Sequence, residues 1–336
     1  MTPLEKIIRE RIARDGPMDV AAFMELAVTH YYATRDPLGA KGDFTTAPEI
    51  SQMFGELIGL WAADVWLKLG SPPAFQLIEC GPGRGTLMAD VLRAARKVPG
   101  FVDAAQIVLI ENSPVLIEKQ KLALKDFKVV WTDSLGHPHI NSSGAPLILL
   151  ANEFLDALPV RQMIGGKERV VIVKNGHLAF EPTGGTPREV SPAREAFTRQ
   201  TAKLLKARRG AALFIDYGYE GPAEGETLQA IREHKFVGAL EYVGEADLTA
   251  HVDFGALKTV AREEGVKTGG PAGQGDFLFR LGINERANVL LGAARNAEQR
   301  SAIASSLARL TEPEQMGRLF KVMALWHDDN LAVDGF

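Results

Sequence analysis

Between an apolar run, Phe75 to Cys80, and the helical spacing of Leu87, Val91, Leu92 and Ala95 lies Glu79-Cys80-Gly81-Pro82-Gly83-Arg84-Gly85-Thr86. Glycines at 81, 83 and 85 let the backbone approach a ligand closely and aim a helix N-terminus at it. The spacing is GxGxG. A dinucleotide fingerprint would need glycine or alanine where this chain has Thr86, and a phosphate loop would need a following Lys-Ser/Thr pair. Pro82 also removes a backbone donor from any pyrophosphate cradle. The next apolar run, Gln106 to Ile110, ends on Glu111-Asn112-Ser113, and a carboxylate there can accept both hydroxyls of a ribose. After a third run, Phe127 to Trp131, Asp133-Ser134-Leu135 is the expected contact for an adenine edge. Glu79 and Glu111 suit a cationic adenosine ligand better than a polyphosphate, so the pattern points to S-adenosylmethionine, whose sulfonium is positive.

A fourth run, Pro146 to Ala151, leads into Asn152-Glu153-Phe154-Leu155-Asp156-Ala157-Leu158-Pro159. In an open α/β sheet the carboxyl ends of the strands face the ligand crevice, which puts Asn152 beside the cofactor and Glu153 where a transferred methyl emerges. Glu153 and Asp156 are three apart; on a helical turn they share a face and form one acidic pocket, the alternative being that Asp156 caps or pairs locally. Cys80 reads as a small buried strand residue rather than a nucleophile, since no histidine lies near it in sequence. His137-Pro138-His139 lacks a third ligand, and no metal is expected.

Strands and helices alternate from about 75 to 151, which implies an α/β, Rossmann-like fold with a mostly parallel sheet. The N-terminal part reads as helical. Leu4, Ile7, Ile8 and Ile12 follow a 3-4 spacing, as do Val20, Phe23, Met24 and Ala27 behind an Asp19 cap. A loop then runs from Asp36 to Pro48 and a helix from Glu49 to Leu69. Val160 to Met163, Arg169 to Val173 and His177 to Phe180 form an antiparallel excursion with a hairpin turn at Asn175-Gly176. Helices at Ala193 to Lys206 and Phe254 to Glu264, a fifth core strand at Ala211 to Asp216 and a final strand at Gly275 to Leu281 complete the reading. The chain thus divides into a helical extension with a cofactor-covering loop (1–70), a core with an insertion around 160–210 (71–282) and a mostly helical tail (283–336).

The 336 residues are 46% hydrophobic and 24% charged, an ordinary globular balance. Thirty-eight basic against 42 acidic side chains give a net charge of −4, so no global field draws the protein to nucleic acid. Cys80 is the only cysteine, which excludes an intramolecular disulfide and a cysteine zinc site. Residues 1–15 mix acids and bases with apolar residues, unlike a secretion signal or a transit peptide. Leu57 to Leu69 is interrupted by Asp64 and Lys68 and is shorter than the roughly 20 residues that cross a bilayer. These features predict a soluble, cytoplasmic protein without membrane insertion.

Several segments together resemble the MidA-like class I methyltransferases, relatives of a mitochondrial complex I assembly factor that methylates arginine. They are Gly42 to Ser51, Phe54-Gly55-Glu56, Glu79 to Leu87, Asn152 to Pro159, Asp216-Tyr217-Gly218, Asp247 to Phe254 and Gln274 to Leu278, so the likeness covers nearly the whole chain. Cys80 and the stretch 225–228 depart from the family pattern. The resemblance implies arginine methylation of a protein, with a respiratory complex I subunit as the first expected acceptor. A guanidinium has a pKa above about 12, so carboxylates must orient it and help remove its proton. Glu153, with Asp156 or Asp43, is expected to do this while the loop from Asp36 to Ser51 closes over the cofactor. Two other readings are a non-catalytic complex I assembly or binding factor that keeps the methyltransferase fold, and a small-molecule methyltransferase with a buried acceptor.

Overall fold

The computed structural model describes residues 1–34, 46–221 and 225–336. Asp43 and most of the expected covering loop lie outside the described residues. Among the described residues, the central sheet contains β1 (Phe75–Cys80), β2 (Ala105–Ile110), β3 (Val129–Thr132), β4 (Leu147–Asn152), β5 (Gly210–Tyr219), β6 (Lys267–Gly273) and β7 (Phe320–Trp326). The strands lie in the order β6-β7-β5-β4-β1-β2-β3. From β5 to β3 every pairing is parallel, while β7 runs antiparallel to both β5 and β6. The chain leaves β1 toward β2 and β3, then returns to lay β4 on the other side of β1. That reversal opens a crevice beyond the carboxyl ends of β1 and β4, where ligands of such sheets bind.

Strand residues divide between the two faces with period two. Phe75, Leu77, Ile107, Leu109, Ile148, Leu150, Ala211 and Leu213 pack into one hydrophobic layer. Ile78, Cys80, Val108, Ile110, Leu149, Ala151, Ala212 and Phe214 pack into the other. Both layers are roofed by helices, so these strands are largely apolar on both faces rather than alternating. Helix Gln52–Lys68 crosses helix Thr86–Ala95 closely on the first face because Gly55 and Gly59 carry no side chain there. A Cβ on Gly59 would lie 2.7 Å from the Val91 carbonyl oxygen, a backbone atom that cannot rotate away. Gly59→Ala is therefore expected to destabilise the fold by about 1–3 kcal/mol. A denaturant midpoint equal to the wild type would refute this tight crossing.

A third core lies apart from the sheet. Leu4, Ile8, Ile12, Val20, Phe23, Met24 and Ala27 of helices Pro3–Asp15 and Val20–Thr34 pack with Val160, Val171, Leu228, Ala230, Val243 and Leu248. The first two helices thus belong with the inserted strands, whereas Gln52–Lys68 belongs with the sheet, and a single extension over 1–70 is not a physical unit. Asp19 caps as expected, its Oδ1 accepting from Ala22 N at 2.7 Å. The hairpin Val170–Lys174 with His177–Glu181 forms around Asn175-Gly176, both at positive φ.

Other expectations are corrected. The helix expected over 49–69 is broken at Ser51, which is extended and caps Met53 N, so Ala47–Ile50 forms a separate short helix. Residues 275–281 fall mostly in a helix, Gln274–Arg280, because an apolar run as short as Phe277-Leu278-Phe279 carries no period. The strand precedes it as β6. The tail beyond 282 contains β7, which inserts between β5 and β6, so no boundary separates tail from core. A second insertion, strands Gln229–Arg232, Lys235–Val237 and Asp247–Thr249, carries no hairpin signal in the sequence, because its turn residues Glu233 and His234 take positive φ without a glycine.

Candidate active site

Gly81, Gly83 and Gly85 have φ of 63°, 53° and 82°, in the left-handed region open to glycine. A Cβ on Gly81 would also press within 2.9 Å of Phe154. Gly85 opens helix Thr86–Ala95 with no side-chain cap of its own, and the Met88 N–H in the first turn donates to the Glu79 carboxyl. Just before the turn, Glu79 is buried and its Oε2 has no hydrogen-bond partner within the protein. Burial, reinforced by the charge of Glu111, pushes its carboxyl up to about 8. Asn152 is likewise buried with Oδ1 unpaired. Cys80 pairs with Ala151 across the two strands, so Glu79, next to last in β1, and Asn152, last in β4, lie near the carboxyl ends of neighbouring strands. Two orphaned acceptors in one crevice match a ligand that brings several N–H donors and a positive charge. Burial pushes the Cys80 thiol up, which removes it as a nucleophile.

Glu111 is held by its own loop. Its Oε1 accepts from Asn112 N at 2.9 Å and Ser113 N at 2.8 Å, and its Oε2 from Gln120 Nε2 at 3.0 Å. Gln120 Nε2 also donates to the Gly83 carbonyl at 2.7 Å, while Trp131 Nε1 donates to Gln120 Oε1 at 2.8 Å. Gln120 is thus a buried strut between Glu111 and the glycine turn, and only its lone position in a helix marked it in the sequence. Burial raises the Glu111 carboxyl. Asn112 Nδ2 reaches the Asp133 carbonyl at 3.4 Å, and the exposed Asp133 and Ser134 share a hydrogen bond of 3.1 Å. Two expected contact residues instead turn their side chains into the framework. Ser113 Oγ caps Leu116 N and donates to the Tyr32 carbonyl at 2.6 Å, and the Leu135 side chain is buried in the second core layer.

At the end of β4, Glu153 takes φ of 49°, an unusual conformation for a residue with a side chain. Its N–H donates to the Ile215 carbonyl at 2.8 Å, and its Oε1 accepts from Ala47 N at 2.9 Å and Asn152 Nδ2 at 3.3 Å. Burial, with repulsion from Asp156, pushes the Glu153 carboxyl up to about 7. The residues from 153 to 159 form a turn, so the shared helical face expected for Glu153 and Asp156 is absent. Asp156 instead accepts from the Tyr217 hydroxyl, and burial raises its carboxyl.

Beneath this turn lies a polar layer whose roles the sequence did not disclose. Asp216 is fully buried; its Oδ2 accepts from Leu155 N at 2.9 Å and Asp156 N at 3.1 Å, and burial beside Asp156 raises its carboxyl strongly. Tyr32 donates to Asp247 Oδ1 at 3.2 Å. Arg194, also buried, donates to the carbonyls of Leu155, Asp156, Ala250 and His251 at 2.7–3.1 Å. Asp216, Tyr217 and Asp247 stood in the segments that carry the family likeness, but their spacing alone names no partner.

Residues 57–184 and 172–272 match the profile of a family of S-adenosyl-L-methionine-dependent methyltransferases. The mitochondrial protein arginine methyltransferase NDUFAF7 of Mus musculus is 35% identical over 97% of this chain and 84% of its own length. The mitochondrial NDUFAF7 homolog of Drosophila melanogaster is 34% identical over 99% of this chain and 88% of its own. A crystal structure of a Burkholderia thailandensis protein bound to S-adenosyl-homocysteine superposes with a TM-score of 0.82 at 26% identity, covering 99% of this chain and 94% of that one. The relatives' mitochondrial names overturn the cytoplasmic assignment. A single cysteine and a charged N-terminus bear on disulfides and secretion, and do not tell one interior compartment from another. Among the described residues, no helix is long and apolar enough to cross a membrane. Glycine turn, sheet order and full-length likeness agree: the chain belongs to the S-adenosyl-L-methionine-dependent methyltransferases, in the family that includes NDUFAF7.

Proposed function

We propose that this protein is a protein arginine N-methyltransferase, that a respiratory complex I subunit is its first candidate acceptor, and that Glu153 takes the guanidinium proton. The NDUFAF7 relatives are named protein arginine methyltransferases, which supports the acceptor class. The observation that carries the reading is Glu153 itself, a strand-end carboxylate beside the crevice whose pKa of about 7 leaves it ready to accept a proton near neutrality.

The residues present fit the cofactor. Glu79 Oε2 and Asn152 Oδ1, the orphaned acceptors, would take its ammonium; Glu111 would hold the ribose diol; Asn112, Asp133, Ser134 and the Leu135 backbone would border the adenine. Bound S-adenosylmethionine supplies an electrophilic methyl for in-line displacement. The protein's part is to orient the guanidinium nitrogen and to receive its proton on Glu153 as the new N–C bond forms. Asp156, held by the Tyr217 hydroxyl, adds negative charge beside that nitrogen and opposes its drift from the carboxylate. Asp43 retains its proposed supporting role on the covering loop.

Labelled S-adenosylmethionine, incubated with this protein and a lysate from cells lacking it, should mark a protein band whose label resides on arginine. Absence of labelled protein would favour the assembly-factor or small-molecule readings. For the ribose assignment, Glu111→Ala should weaken S-adenosyl-homocysteine binding about 10- to 100-fold in calorimetry, the range for lost charge-assisted bonds. Unchanged affinity would remove Glu111 from the sugar.

A further inference from the structure

The four-residue helix Ala47–Ile50 touches two parts of the site and the helix Ala297–Thr311. Ala47 N–H donates to Glu153 Oε1 at 2.9 Å. Two residues on, Glu49 Oε1 accepts from the Thr86 hydroxyl at 2.5 Å, and its Oε2 lies 3.8 Å from Arg84 Nη1. The Ile50 carbonyl accepts from the Ser306 hydroxyl at 3.3 Å. Arg84 and Thr86 flank Gly85, so Glu49 grips the glycine turn on both sides of its last residue. A helix of one turn does not hold itself together, and its position depends on such tertiary ties.

The groups that act on Glu153 make the Ala47 N–H consequential. That N–H, the Asn152 amide at 3.3 Å and the more distant Arg309 favour the ionised carboxylate. Asp156 opposes it, and Asp216 repels the same charge from below. Withdrawing a main-chain donor from so delicately balanced a group changes both its ionisation and its direction.

We propose that Glu49 is a positioning residue for Glu153: by fastening Ala47–Ile50 to Arg84 and Thr86, it keeps the Ala47 N–H on the Glu153 carboxylate and ties that carboxylate to the cofactor turn. The effect on rate rests on Glu153 being the base, as proposed above; the effect on its ionisation does not.

The test is a pH titration of full-length protein labelled with glutamate carrying 13C at the δ carbon, the Glu153 signal being the one lost in Glu153→Gln. Glu49→Ala should raise the Glu153 midpoint by about half to one pH unit, the scale of one lost hydrogen bond to a carboxylate. Thr86→Val, which removes the donor from the opposite side, should raise it in the same direction. Glu49→Gln keeps an oxygen to accept from Thr86 and should stay near the wild type. Methyl transfer to the lysate acceptor should follow: Glu49→Ala loses more rate at pH 6.5 than at pH 8.5, with the glutamine variant largely restored. An unmoved midpoint in both Glu49→Ala and Thr86→Val, or a loss of rate equal at every pH and not rescued by glutamine, overturns the proposal. A wild-type rate in Glu153→Gln would instead remove the base reading, and a moved midpoint in Glu49→Ala would still uphold the positioning role.

Discussion

Glu153→Gln is expected to lower methyl transfer by about 100- to 1000-fold while leaving S-adenosyl-homocysteine affinity within a few-fold of the wild type. Glutamine keeps the shape and an oxygen for the Ala47 N–H but cannot take a proton, so the substitution separates chemistry from folding. The wild-type rate should also climb as pH rises through about 7, since burial has lifted the Glu153 carboxyl to that value and only its ionised form is a base. Below that pH the carboxyl is protonated and the rate falls; the glutamine variant should lack this limb. Rate measurements from pH 5.5 to 9 with the labelled acceptor check both points. A variant that retains the wild-type rate, or the same acid limb on a reduced rate, would show that another group moves the proton.

Arg194→Ala should destabilise the fold by about 3–5 kcal/mol and lower the thermal midpoint by about 5–10 °C. The buried guanidinium satisfies four carbonyls on two segments, 155–156 and 250–251, and so pins the turn after β4 to the second insertion. It is also the cation that offsets Asp156 and Asp216, whose carboxyls are already raised by burial. Alanine would take a charged donor from all four carbonyls, of which those of Leu155 and Asp156 keep one backbone N–H each, from Leu158 and Ala250, and would leave both acids without that charge. Lysine should recover only part of the loss, because a single ammonium cannot span four carbonyls in a plane. Chemical denaturation followed by circular dichroism would decide it, and a midpoint within a degree or two of the wild type in melting would mean that the insertion is held by its apolar core alone.

Much of the cofactor side was legible before any coordinates. Gly81, Gly83 and Gly85 marked a turn where the backbone can come close to a ligand, and each takes the positive φ open to glycine. Glu111 could be placed at a strand end because four residues of β2 before it are buried and apolar. The acceptor side was less legible. Glu153 is placed by its position after β4, but the three-residue spacing to Asp156 suggested a helical face, and the chain turns instead so that Asp156 meets Tyr217. The assignment of compartment failed for a different reason, since no physical constraint in the fold depends on it.

What the sequence determined by itself was local: strand after strand of buried apolar residues, the helices between them and the glycines at the bend. Such features arise from backbone sterics and from which side chains avoid water within a few residues of one another. Only the tertiary structure decided which polar groups face each other across long stretches of chain: Ala47 with Glu153, Glu49 with Thr86, Asp156 with Tyr217, and Arg194 with the carbonyls of two loops. Those meetings depend on how the layers pack, and a buried acid has no fixed character until burial and neighbours set its charge.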